Sequence, residues 1–155
     1  MNDAEKIEKL KTLVDPAAIT NPAPHRIFVT LDPKDLVSFT AKLKAELDCW
    51  YVATISGVDK GDAYEILYHY GDTSGSINIR TQIPKTDPKL PSICAVIPGA
   101  ILYERELQDM YGIVVENLPD PRPMLMSDDW PAGNFPLRKD WKFDRPAEVI
   151  PGGKK

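Results

Sequence analysis

The chain has 155 residues, of which 43% are apolar and 27% charged, and its formal net charge is −4. That size fits one domain with a tail, and the apolar share is enough for a core. The mild acidity argues against nucleic acid as a partner, because phosphate binding needs a basic face, and no apolar run approaches the roughly 18 residues that cross a bilayer.

Met1-Asn2-Asp3-Ala4-Glu5-Lys6 lacks the basic start and apolar stretch of a secretory leader. Ile7, Leu10, Leu13 and Val14 recur at helical spacing, so residues 3 to 14 read as a short amphipathic helix. Asp15-Pro16 ends it, and Asn21-Pro22-Ala23-Pro24 reads as a linker. Arg26 to Thr30 is strand-like. Asp32 then looks like an N-cap with Pro33 at the first helical position, and Leu36, Phe39, Leu43 and Leu47 give residues 33 to 47 one buried stripe. Three strand-like segments follow. Trp50 to Val58 is rich in β-formers. In Tyr64 to Tyr70, positions 64, 66, 68 and 70 point one way, and Ile77, Ile79 and Ile83 alternate with Asn78, Arg80 and Gln82. Short turns at Lys60-Gly61-Asp62 and Gly71 to Gly75 make these neighbours antiparallel.

The style changes after residue 83, where 11 of the 15 prolines lie. One more helix is expected from about Gly99 to Tyr111. Tyr103, Leu107, Met110 and Tyr111 lie on one face, and Gly112 stands at the stop. Beyond Val115 little regular structure is expected, since proline removes backbone donors and blocks helices. The fold class is therefore α+β: one mostly antiparallel mixed sheet of four to five strands, helices on one face, then a long irregular C-terminal segment. The domains read as 1–24 (helix and linker), 25–115 (core) and 116–155 (extended segment).

Reactive chemistry is sparse. His25 and His69 have no second ligand at metal spacing, and Cys49 and Cys94, 45 positions apart, read as buried reduced thiols. No phosphate-binding glycine loop, dinucleotide fingerprint, nucleophile elbow or iron–sulfur cysteine cluster is present. Glu106 and Asp109 lie three apart on one helix face, and such a pair can divide its pKa values for proton work. The simpler reading is an ion-pair network, with Arg105 on Asp109 and with Arg122 or Arg138 on Glu106. Arg122, Trp130, Arg138, Lys139 and Trp141 stud the proline-rich ribbon, and Arg and Trp are enriched at interface hot spots. From residue 138 onward there are six basic and three acidic side chains. A long irregular segment carrying such anchors reads as a docking ribbon.

Glu104-Arg105-Glu106, then Asp109-Met110-Tyr111-Gly112-Ile113, resembles the signature of the respiratory complex I thirty-kilodalton subunit family. Pro119-Asp120, Arg122, Asp129-Trp130 and Pro136-Leu137-Arg138-Lys139-Asp140 continue the pattern, so the resemblance covers about residues 90 to 141. It implies a subunit without a cofactor, at the cytoplasmic face of a membrane-bound complex. There it would pack on a large subunit holding a quinone site or a [NiFe] centre, beside iron–sulfur subunits. Glu104, Arg105, Glu106, Asp109, Tyr111 and Gly112 would hold the root of the ribbon. Arg122, Trp130, Arg138, Lys139, Asp140 and Trp141 would dock on the partner. Leu118 replaces the histidine usual in NADH:quinone-type members, and Pro123 stands where many have a second arginine. The run Asp128 to Gly133 is closer to the energy-converting hydrogenase branch. A free-standing acid–base enzyme using Glu106 and Asp109, and a binding module for an unrelated partner, are the other readings the residues leave open.

Overall fold

The computed structural model describes residues 2–72 and 75–142. Helix α1 (Asp3–Leu13) starts in a capping box: the Asn2 side chain accepts the Glu5 N–H at 2.9 Å and the Glu5 carboxylate accepts the Asn2 N–H at 3.1 Å. Its Leu10 is fully buried. The segment read as a linker is in part a strand, β1 (Ile19–Ala23), paired antiparallel with β2 (Arg26–Thr30). Pro22 fits there because β1 is an outer strand, where a missing N–H costs no ladder bond. The turn between them sets His25 at φ 61°, and the His25 N–H donates to Asp3 at 2.6 Å.

Asp32 caps the next element by accepting the Lys34 N–H at 3.1 Å. The chain makes one 3-10 turn at Pro33–Asp35 before α2 (Leu36–Leu47), whose Leu36, Phe39, Leu43 and Leu47 are all buried. Strands β3 (Val52–Asp59), β4 (Ala63–Asp72) and β5 (Gly75–Pro84) form an antiparallel meander, and β5 lies parallel to β2. The sheet order is β1-β2-β5-β4-β3, so the mixed, mostly antiparallel five-strand sheet matches the sequence reading.

Alternation places Tyr64, Ile66, Tyr68 and Tyr70 of β4 beside Ile77, Ile79 and Ile83 of β5, all at most 1% exposed. The helices cover that face. Thr40 of α2 bonds the Tyr70 hydroxyl at 2.8 Å, and Tyr111 of α3 (Ile101–Tyr111) meets the Tyr64 ring edge-on at 5.6 Å. His69 points the other way, its Nδ1 bonded to Asn78 Oδ1 at 2.7 Å, as a strand histidine. Cys49 and Cys94 are buried thiols.

Outer strand β3 abuts α3. Its Ala53 and Gly57 carbonyls accept the Tyr103 and Tyr111 hydroxyls at 2.9 and 2.6 Å. Gly57 permits this approach, since a Cβ there would lie 2.6 Å from the Tyr111 ring. A small parallel pair, β6 (Lys89–Pro91) with β7 (Val114–Glu116), brackets α3. Three-residue strands are too short to show a period in sequence. From Asn117 to Lys142 there is no helix or strand among the described residues, as expected of so much proline.

Candidate partner-docking site

Helix α3 positions the ribbon. Gly112 terminates it at φ 67°, a conformation that disfavours side chains. Its buried residues are Glu104, Leu107, Asp109 and Tyr111, and Asp109 shares the ribbon side of the helix with Arg105 and Gln108. Arg105 donates to the Arg122 and Pro123 carbonyls at 2.8 and 2.9 Å and lies 3.6 Å from Asp120. Gln108 donates to the Pro121 carbonyl at 3.3 Å. Asp109 accepts the Met124 and Leu125 N–H groups, both at 2.8 Å. Of the charged residues expected at the ribbon root, Arg105 and Asp109 form the clamp.

The expected Arg105–Asp109 pair does not form, because both side chains satisfy ribbon backbone groups that lack partners of their own. Arg122 and Arg138, expected near Glu106, are taken by Asp120 and by the Tyr111 carbonyl. Hydrogen bonds from Arg122 hold the Asp120 carboxyl well below the ordinary range.

A second clamp fixes the far end. Arg138 donates to the Tyr111 carbonyl at 2.6 Å, with its guanidinium 4.2 Å from the Phe135 ring centroid and 5.8 Å from that of Tyr64. Buried Asp59 accepts from Lys85 at 2.9 Å, from the Gly61 N–H at 2.8 Å and from the Lys139 N–H at 3.0 Å. Lys85 also reaches Asp140 at 3.1 Å. Burial opposes the Asp59 charge, yet the Lys85 bond and the two amides outweigh it and bring its pKa to about 2. The Arg138 guanidinium, the Lys139 N–H and the Asp140 carboxylate, of residues read from sequence as partner contacts, are thus engaged within the chain.

Trp130 and Trp141 pack on each other at 6.2 Å between ring centroids. They donate to the Asn134 carbonyl and side chain at 2.9 and 3.3 Å, bracing the loop between them. A groove of about 750 Å³ runs between α3 and the ribbon, lined by Arg105, Gln108, Asp109, Met126, Trp130 and Phe135 among others. Despite the two clamps, no residue from 119 to 142 is buried. Leu125 and Leu137 are each 50% exposed, and the Arg122 side chain is 81% exposed.

Glu104 behaves differently from its neighbours. It is 0% exposed and turns away from the ribbon. Its carboxylate accepts from Ser92 Oγ at 2.6 Å, the Ile93 N–H at 2.8 Å and Cys94 Sγ at 3.2 Å. Burial raises its pKa. Burial also pushes the Cys94 thiol up to about 11. The sequence placed Glu104 at the ribbon root. The signal for its burial was its helical spacing with Leu107 and Tyr111. Among the described residues no group of three or more His, Cys, Asp or Glu is placed to hold a metal, and no helix is long and apolar enough to cross a membrane.

The fold is thus an α+β platform carrying a twice-clamped, unburied ribbon. Residues 29–147 match the model for the respiratory-chain NADH dehydrogenase 30 Kd subunit, and the chain belongs to that family. It is 35% identical over 116 residues to an NADH-quinone oxidoreductase subunit of Chloroherpeton thalassium, covering 72% of this chain and 48% of that protein. The chain thus spans about half the length of that relative. It is 39% identical over 77 residues to formate hydrogenlyase subunit 5 of Escherichia coli, covering 50% of this chain and 14% of that one. A chain of the archaeal membrane-bound sulfane sulfur reductase, a respiratory membrane complex, shares the fold with a TM-score of 0.76 at 23% identity, over 90% of this chain and 85% of that one.

Proposed function

We propose that this chain is a non-catalytic, cofactor-free subunit of a complex-I-like membrane-bound oxidoreductase, of the energy-converting [NiFe] hydrogenase type. It sits peripherally on the cytoplasmic side and scaffolds the large subunit, and the redox centres belong to that subunit and to iron–sulfur partners. One observation carries the reading. The ribbon from 119 to 142 is held in a defined path by two clamps, yet leaves all its residues unburied. An ordered strip with Leu125 and Leu137 half exposed gains from a neighbour's surface what its own domain does not provide. The docking atoms are then Leu125, Leu137, Arg122 and the outer sides of Trp130 and Trp141, while Arg138 and Asp140 set the ribbon's shape.

The hydrogenase branch draws support from the 39% identity to formate hydrogenlyase subunit 5 and from Leu118 and Pro123. The quinone-reducing branch is the second reading, supported by the longer match to the NADH-quinone oxidoreductase relative. The test is a pull-down from native membranes with metal analysis, using wild-type chain and the Leu125→Asp/Leu137→Asp double variant. Wild type should bring down a large subunit with nickel, and the variant should lose it while melting at an unchanged temperature. A large subunit without nickel, turning over quinone, selects the second reading. Full retention by the folded variant removes the docking face.

A further inference from the structure

Glu104 is a buried carboxyl for which the docking reading has no use. Its three donors all come from residues 92–94, the segment that leaves β6 and leads into α3. Ser92 Oγ is already engaged as acceptor of the Cys94 N–H at 3.1 Å, so its single proton is what it offers the carboxylate. The titratable groups facing Glu104 are Cys94 on the same segment and Tyr68 and Tyr70 on β4, all of which are neutral near pH 7. The Tyr68 hydroxyl is buried with no partner, so the wall behind the carboxyl adds no compensating bond. A carboxylate without a cation in such surroundings is costly, and the neutral acid keeps the Ser92 and Ile93 bonds while turning its own proton to Cys94 Sγ, 3.2 Å away and a weak acceptor.

We propose that Glu104 and the segment 91–97 form a proton-operated latch on α3, closed when the carboxyl is neutral and loosened when it ionises. Opening lets water reach the charge. The same segment is tied to α2 by Lys44, whose Nζ donates to the Val96 carbonyl at 3.0 Å, and it runs directly into the Pro98–Ala100 turn that starts α3. Loosening therefore acts on the helix whose flank clamps the ribbon, and the latch stands whether or not the docking reading does.

Amide hydrogen exchange on the 155-residue chain tests this, with rates corrected for intrinsic base catalysis. Protection of the Ile93 and Cys94 amides should fall about tenfold per pH unit through the titration of one carboxyl, while β4 and β5 amides keep theirs. In Glu104→Gln the Ile93 and Cys94 protection should be flat over the same range. Equal profiles in the two proteins, or no fall in wild type, overturn the latch. Should the variant not fold, carbon-detected titration of Glu104 in wild type decides. A carboxyl midpoint coinciding with the loss of Ile93 protection supports the latch, and separate midpoints overturn it.

Discussion

Gly112 meets two demands at one Cα. Its φ of 67° is one a side chain resists, and a Cβ there would lie 2.5 Å from both the Phe135 ring and the Arg138 guanidinium. Helix stop and ribbon seat are thus the same atom. Gly112→Ala should cost about 1 kcal/mol for the backbone alone and more for the displaced ring, read as a lower denaturant midpoint with a shifted Trp130 fluorescence. An unchanged midpoint would show that the ribbon does not rest there. The family-type motif made Gly112 legible, and helix-stop chemistry gave the reason. Glu104 was legible only in part. The motif marked it, but it was expected at the ribbon root, and its spacing with Leu107 and Tyr111, which accounts for the burial, was outweighed by its charge. Residues 92–94, its actual partners, carry no pattern that announces them.

Among elements, the outcome follows the length of the repeating signal. Strand β4, with three tyrosines and Ile66 alternating inward, and α2, with four apolar residues on one stripe, were readable because many positions agree. Strand β1 was not, since Pro22 and Asn21 look like punctuation and its residues are mostly exposed. The ribbon was readable as irregular but not as self-clamped, because backbone N–H groups seeking Asp109 and Asp59 leave no trace in residue type. The Asp59 clamp has a defined acid limit. Its folded pKa, about 2, lies below the ordinary carboxyl value, so its contribution is complete above about pH 4 and is lost as pH falls toward 2. Asp59→Asn should remove that part of the acid-dependent stability loss and leave a less stable protein at neutral pH, with the Lys139 amide deprived of its carboxylate acceptor and Lys85 left with Asp140. A variant with the acid profile of wild type would place the stabilisation elsewhere.

At the level of the whole molecule, one side of the sheet is roofed by helices and its two margins are treated unequally. Strand β1 is short, irregular and interrupted by Pro22, a poor template for another chain. Strand β3 is eight residues long and has no proline, so it would be the better template. There α3 intervenes, and the hydroxyls of Tyr103 and Tyr111 occupy the Ala53 and Gly57 carbonyls. Tyr103→Phe/Tyr111→Phe keeps the rings but frees both acceptors. It should make the chain self-associate with rising concentration, seen as faster sedimentation and extra β signal, whereas a strictly monomeric variant would show that the helix alone suffices. On the first outcome, two phenolic oxygens are what stop the long margin of this sheet from recruiting a further strand.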